Sequence, residues 1–200
     1  MNVWRDRLHR WLSPLARKCP LSPNAITLIA LAINAGVGTM LYMRWFIAAM
    51  IVLAFGGLAD AFDGIVARVQ GKASRFGDFL DHIADRLSDA LILAGWLLGN
   101  GVRIELALAA TIAVAMNGYT GTQIQASWHE REYETLGRGE FVLALMIYPL
   151  VSSILYRNEW EHLAYFGLRI AEWMAIGIAV FAFLGVVQRL GVAARMERSR

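Results

Sequence analysis

Four carboxylates lie at helical spacing within apolar segments, where an ionised side chain is costly and usually functional. They are Asp60, Asp63, Asp81 and Asp85. Residues three or four positions apart share a helix face, so two facing helices could direct all four side chains into one volume. Their mutual repulsion would require a cation, and carboxylate oxygens favour hard ions such as Mg²⁺ or Ca²⁺ over zinc. The spacing therefore predicts a metal site, for which phosphate is the natural partner.

The composition indicates that membrane helices position these acids. The chain has 200 residues, of which 58% are hydrophobic and 18% charged, which excludes an ordinary soluble domain. Six apolar segments of roughly membrane-spanning length (about 17–25 residues) lie near 25–43, 45–60, 79–98, 104–125, 141–156 and 171–190. We therefore predict an all-α integral membrane protein with six transmembrane helices. With no internal repeat or long linker, residues 1–200 are expected to form one domain, with the bundle over 25–190.

The first twenty residues have a different pattern. Trp4, Leu8 and Trp11 recur at helical spacing, and Arg5 and Arg7 lie between them. This pattern predicts a short basic amphipathic helix lying in the headgroup region at the membrane surface.

The distribution of basic residues predicts the orientation. Fourteen of the 19 Lys and Arg residues fall on one side of the predicted spans, namely Arg5, Arg7, Arg10, Arg17, Lys18, Arg68, Lys72, Arg75, Arg131, Arg138, Arg189, Arg195, Arg198 and Arg200. The positive-inside rule places that side, with both termini and the acidic site, in the cytoplasm. The basic balance is explained by this topology and by headgroup contact, so nucleic-acid binding is not expected. The single cysteine, Cys19, excludes an internal disulfide and a thiolate metal site.

The residues between the acids define the site more closely. From Asp60 to Asp85 the chain reads Asp-x-x-Asp-Gly-x-x-Ala-Arg-x8-Gly-x3-Asp-x3-Asp. This stretch resembles the signature of the CDP-alcohol phosphotransferases (CDP-alcohol phosphatidyltransferases) at every fixed position. The resemblance implies a phospholipid-synthesis enzyme that moves a phosphatidyl group from CDP-diacylglycerol to the hydroxyl of a polar alcohol and releases CMP. It also implies a homodimer, two Mg²⁺ or Mn²⁺ ions per site, and a prokaryotic inner or plasma membrane as the location.

The resemblance gives each motif residue an expected role. It implies metal binding by Asp60, Asp63, Asp81 and Asp85, with Asp85 also the general base. The donor nucleotide would contact a second set of residues: Asn24, Thr27, Asp60, Gly64, Ala67, Arg68 and Gly77. Alternative roles remain open from the residues alone, because small residues also serve helix packing, Pro23-Asn24 also suits a helix start, and Arg86 could form ion pairs with the acids.

The acceptor alcohol is less closely defined. The stretch Asp85-Arg86-Leu-Ser-Asp89 is similar to the form common in the inositol-phosphate-transferring branch, whereas phosphatidylglycerophosphate synthases usually carry Pro-Leu-Ala-Asp-Lys at this position. A phosphorylated acceptor needs cationic partners, and four on the predicted cytoplasmic side are Lys72, Arg75, Arg131 and Arg138. Glycerol phosphate would need the same partners, so phosphatidylglycerophosphate synthesis and other acceptors stay open.

Two hypotheses lie outside this enzyme class. A divalent-cation transporter would explain the four acids, because intramembrane carboxylates mark ion pathways, but not Gly64, Ala67, Arg68 and Gly77. A membrane scaffold would explain the glycines but not the burial of four acids.

Overall fold

The computed structural model describes residues 3–128 and 138–198, with the side chains of 3–10, 60, 61 and 138–143 outside the description. This part of the chain is predominantly helical. Seven helices and one short β-hairpin follow in the order α1 (Val3–Lys18), α2 (Pro23–Tyr42), α3 (Phe46–Val69), α4 (Arg75–Gly99), α5 (Ile104–Trp128), α6 (Arg138–Arg157), β1 (Ala164–Tyr165), β2 (Leu168–Arg169) and α7 (Ile170–Arg198). Each of the six predicted apolar segments coincides with one of the helices α2–α7.

Hydropathy distinguishes these helices. Within the described residues, α2, α3 and α7 are long and apolar enough to cross a membrane, and Ala144–Arg157 in α6 is a shorter apolar stretch. Helices α4 and α5 also have 25 residues each, but α4 carries the acids and arginines that lower its mean hydropathy. The prediction of a mostly helical membrane protein is confirmed, whereas the count of six spans stays a prediction.

Helix α1 packs against the ends of two other helices. Ala16 is fully buried, in a cluster with Ile26 of α2 and Val66 of α3. The Gln70 amide that follows α3 donates hydrogen bonds to the carbonyls of Ala16 (2.8 Å) and Cys19 (2.9 Å). These contacts hold the end of α1 beside the helices that carry the first half of the motif.

Helices α2 and α4 approach each other unusually closely. A Cβ added at Gly95 would overlap the Gly38 carbonyl, and one added at Gly99 would overlap the Leu41 carbonyl. A hydrogen bond of 3.1 Å from the Asn34 amide to the Ser88 hydroxyl joins the same two helices. Glycine is thus required where the backbones touch, and the contact fixes the C-terminal half of α2 relative to α4.

The end of the molecule opposite the motif is held by arginines. Arg103 donates a 2.9 Å hydrogen bond to Glu172, a carboxylate that is 4% exposed, and the backbone N–H of Arg169 donates to the same carboxylate at 2.8 Å. Arg44 donates to the Gly99 carbonyl at 2.8 Å and stacks over Tyr156 at 4.8 Å. We name this arginine-rich end the Glu172 end.

The β-hairpin differs from the all-helical prediction. Ala164 pairs with Arg169, and Tyr165 with Leu168. The two loop residues, Phe166 and Gly167, both have positive φ, at 53° and 76°, which is the geometry of tight antiparallel hairpins. A hairpin of only two residue pairs leaves no periodic pattern in the sequence, so it was not predicted.

Candidate functional site

Two capped helix starts position one side of the candidate site. The Ser22 hydroxyl accepts a hydrogen bond from the Ala25 N–H at 3.3 Å, and Pro23 occupies the first turn of α2. The Ser74 hydroxyl accepts from the Gly77 N–H at 3.0 Å at the start of α4. Side-chain capping of this kind fixes where each helix begins. Asn24 lies in the first turn of α2 and also lines the cleft described next, so a role at the helix start and a role in the site are compatible.

A small cleft lies where these starts meet the C-terminal half of α3. Its cavity volume is about 70 Å³. The lining residues come from α2, α3, α4 and the connection between α3 and α4: Pro23, Asn24, Thr27, Asp63, Gly64, Ala67, Lys72, Ala73, Ser74, Gly77, Asp78 and Asp81. Residues far apart in sequence are thereby gathered at one place, including most of those predicted for metal and donor binding.

Asp63 is buried at the floor of this region. The Thr27 hydroxyl donates to the Asp63 carboxylate at 2.7 Å, and both side chains are at least nine-tenths buried. The same hydroxyl lies 3.1 Å from the Pro23 carbonyl. Because a hydroxyl carries a single proton, the shorter, charge-assisted bond to Asp63 is the favoured one. Thr27 therefore orients one motif acid across the α2–α3 contact.

A second group of acids lies on α4. Ligand atoms of Asp81, His82 and Asp85 lie within 4.8 Å of one another. Asp85 is buried, and Asp81 and His82 are half-buried. Two carboxylate oxygens and an imidazole nitrogen at this separation suit one divalent cation, which would also relieve the repulsion between the carboxylates. The donor set therefore fits the predicted metal. Asp60 lies in α3, and its side chain is outside the described part.

The glycines of the motif differ in their surroundings. A Cβ added at Gly64 would meet one neighbour, an Arg68 guanidinium nitrogen at 3.6 Å. A Cβ added at Gly77 would lie 3.2 Å from the Ser74 hydroxyl and 3.3 Å from the Asn24 side-chain oxygen. Gly77 therefore serves close packing at the cleft, whereas Gly64 leaves open space beside Asp63.

The predicted basic residues are only partly brought to this cleft. Lys72 lines it, whereas Arg75 is exposed at the start of α4. Arg68 folds back on α3, where its Nε donates to the Gly64 carbonyl at 2.9 Å. Arg131 lies outside the described residues, and Arg138 begins α6 with its side chain undescribed.

Two further arginines press against α5. The Arg86 guanidinium lies 3.4 Å from the Asp89 carboxylate and occupies the space that a Cβ at Gly118 would need. Arg189 of α7 donates to the Asn117 carbonyl and side-chain oxygen and is 9% exposed. It was counted with the basic residues of the predicted cytoplasmic side, and its burial between α5 and α7 was not predicted. The apolar residues on both sides of Arg189 in the sequence were the signal that could have predicted its burial.

A larger cavity of about 540 Å³ separates parts of α4 and α5. Most of its lining is apolar, including Phe79, Ile83 and Leu93, and its polar residues include His82 and Arg86. His82 therefore faces both the α4 acid group and this cavity.

Comparisons with known proteins agree with this arrangement. The family model described as CDP-alcohol phosphatidyltransferase matches residues 20–183. The archaetidylinositol phosphate synthase of Pyrococcus horikoshii is 36% identical over 150 residues, covering 74% of this chain and 78% of that protein.

Solved structures share the fold. A crystal structure of Mycobacterium tuberculosis phosphatidylinositol phosphate synthase with CDP-DAG bound superposes with a TM-score of 0.70 at 23% identity, covering 91% of this chain and 92% of that one. The same enzyme in complex with manganese and citrate gives a TM-score of 0.69 at 24% identity, covering 90% and 87%. The match of the family model over most of the chain confirms the resemblance seen in the motif, and the chain belongs to the CDP-alcohol phosphatidyltransferase family.

Proposed function

We propose that the chain transfers a phosphatidyl-type group from a CDP-linked lipid such as CDP-diacylglycerol to a hydroxyl of inositol phosphate, with release of CMP. The observation that carries the proposal is the cleft, which gathers Thr27, Asp63, Gly64 and Asp81 from three helices. The inositol-phosphate acceptor is supported by the Asp85-Arg86-Leu-Ser-Asp89 stretch and by the activities named for the relatives.

The proposed reaction exchanges one phosphorus–oxygen bond for another. The acceptor hydroxyl oxygen attacks the lipid-linked phosphorus, its proton passes to the Asp85 carboxylate, and the bond to CMP breaks. Asp85 suits this role because it is buried and lies beside Asp81 in the α4 acid group. Reactions of this class need little besides positioning and charge neutralisation.

Metal ions would supply the neutralisation. Asp60, Asp63, Asp81 and Asp85 would hold them, and two divalent ions, Mg²⁺ or Mn²⁺, agree with this number of acids. A bound divalent ion neutralises developing charge on phosphoryl oxygens. Thr27 keeps Asp63 oriented for this task.

The open space at Gly64 would admit the donor. Gly64, Ala67 and Asn24 line the cleft without a bulky side chain beside Asp63. Gly77 shapes the facing wall. Lys72 could reach a phosphate from the rim of the cleft, and Arg68 could do so by leaving its contact with the Gly64 carbonyl. Arg75, Arg131 and Arg138 remain proposed contributors to acceptor binding.

An acceptor screen tests the function. Purified full-length protein with CDP-diacylglycerol is assayed for CMP release with inositol phosphate, glycerol phosphate, inositol or serine, each with and without EDTA. We expect metal-dependent release with inositol phosphate as the best acceptor. Preference for glycerol phosphate would assign the alternative synthase activity. An absence of release with every acceptor, together with metal flux across proteoliposomes, would favour a transporter.

Asp85→Asn distinguishes a base from a metal ligand. Because the proton leaves the acceptor only during attack, we expect kcat to fall while the affinity for CDP-diacylglycerol changes little. A parallel loss of donor affinity, measured by equilibrium binding, would show that Asp85 chiefly holds metal.

We further propose that α2–α7 span the bilayer as a single domain, with α1 on the cytoplasmic surface. Lys72→Cys and Phe166→Cys test the orientation in a Cys19→Ser background, since these positions lie at opposite ends of the molecule and are exposed. In intact prokaryotic cells an impermeant thiol reagent should label the cysteine at 166, and label that at 72 only after permeabilisation. The reverse pattern would invert the topology.

The family resemblance also supports a homodimer. The mass of the protein in lipid nanodiscs checks this, and a fully active monomer would contradict it.

A further inference from the structure

His82 is a chemically distinctive residue of the α4 acid group. The family signature fixes Asp81 and Asp85 but leaves the three positions between them variable. In this chain the first of those positions is a histidine, and its ring offers a nitrogen within 4.8 Å of carboxylate oxygens of both neighbouring acids.

Helix geometry explains how the three side chains converge. Successive residues are about 100° apart around a helix, so Asp85 projects between the directions of Asp81 and His82, one turn further along. The ring is half-buried and also lines the α4–α5 cavity. His82 therefore stands at the edge of the acid group that faces α5, where a nitrogen can approach an ion held by the two carboxylates.

We propose that His82 is a nitrogen ligand of a divalent ion at this site and that it shifts the site's preference from Mg²⁺ toward Mn²⁺ and later first-row ions. Mg²⁺ prefers oxygen ligands and keeps much of its water, whereas imidazole suits transition ions. The proposal rests on the metal-dependent function proposed above. It adds that ion selectivity in this chain is set by a residue outside the family signature.

Pulsed EPR of the full-length protein loaded with Mn²⁺ tests the contact directly. We expect a ¹⁴N hyperfine coupling of the size given by a directly bound imidazole, and its replacement by a ¹⁵N coupling when the protein is labelled with ¹⁵N-histidine. This comparison needs no substitution, so it does not depend on the folding of a variant. The absence of a directly bound nitrogen would overturn the proposal, including the case in which His82 only hydrogen-bonds to Asp81 or Asp85.

Variants then assign the nitrogen to one residue. His82→Gln should abolish the coupling, and His162→Gln, at the Glu172 end, should preserve it. Persistence of the coupling in His82→Gln would refute the assignment.

Ion affinities give a second readout. His82→Gln should raise the Kd for Mn²⁺ by roughly 10-fold or more, because loss of residues that only hydrogen-bond to metal ligands already costs this much. The Kd for Mg²⁺ should change much less. Equal changes for the two ions would refute the selectivity. If His82 is not a ligand, Mg²⁺-supported transfer stays intact. If the proposed function is wrong, transfer to inositol phosphate is lost and the nitrogen coupling stays in place.

Discussion

The two ends of the helix bundle differ in the surroundings of their buried carboxylates. At the Glu172 end, one buried carboxylate receives a guanidinium N–H from Arg103 and a backbone N–H from Arg169. At the cleft, acids converge, with Asp81 and Asp85 beside His82, and Asp63 held by a neutral hydroxyl. The guanidinium stabilises Glu172 in place, whereas carboxylates as close as those of Asp81 and Asp85 repel each other and favour a bound cation. The contrast supports our proposal that the cleft carries the chemistry, with the Glu172 end contributing to stability.

The largest test of this contrast is Asp63→Asn. The substitution keeps the shape and removes the charge, so we expect at least about a 100-fold loss of kcat if metal neutralisation supplies several kcal/mol. Asp78→Asn is the matched control, since Asp78 lines the same cleft but is exposed, and it should stay within a few-fold of the parent. Near-normal turnover in Asp63→Asn would mean that the chemistry occurs elsewhere.

A smaller effect is expected from Thr27→Val, which removes the hydroxyl donor to Asp63 while preserving volume. A hydrogen bond to a charged group contributes about 1.5 kcal/mol or more, so transfer should slow by roughly 10-fold. Thr27→Ser should restore most of the rate. If steady-state kinetics show Thr27→Ser impaired and Thr27→Val near normal, the side chain matters for packing rather than for its hydroxyl.

Gly64→Ala should affect the donor more than the fold. The added methyl group meets protein at 3.6 Å, so it should be accommodated, but it projects beside Asp63. A cost of about 1 kcal/mol in donor binding corresponds to roughly a fivefold rise in the KM for CDP-diacylglycerol. Gly57→Ala, which meets nothing within 4 Å in the same helix, should leave KM unchanged. An equal rise in both variants would argue for a general effect on α3.

Glu172→Gln should have the smallest effect on catalysis. Loss of the charge weakens the bonds from Arg103 and Arg169, and because the Arg103 side chain is about half exposed, we expect a cost of about 1 kcal/mol. The midpoint of thermal unfolding in detergent should fall by about 2–4 °C while transfer at 25 °C persists. Glu105→Gln, in the exposed first turn of α5, should change neither quantity. A large loss of activity in Glu172→Gln would break the division between the two ends.

The sequence was most informative where local periodicity coincided with chemistry. Spacing alone predicted that acids on two helices converge, and Asp63 and Asp81 do line one cleft. The helical course of the six apolar segments was also predictable, because hydrophobic runs of that length have few alternatives.

What escaped prediction depends on tertiary contacts. The burial of Arg189 was not predicted, because only the fold shows that glycine at 121 gives its guanidinium room against α5. The hydroxyl bond from Thr27 joins residues 36 positions apart, and only the fold reveals which acid it contacts. His82 was overlooked because the signature makes its position variable.

The glycine contact between α2 and α4 has a mechanical consequence. Where a Cβ at Gly95 would collide with the Gly38 backbone, the two helices have no side-chain layer through which to slide. They should therefore move as one rigid unit that carries Thr27, Asp81 and Asp85 together. Any helix movement that admits a lipid substrate must then come from α3 or from α5. The 540 Å³ cavity between α4 and α5 leaves room for such a movement, whereas the α2–α4 contact leaves none.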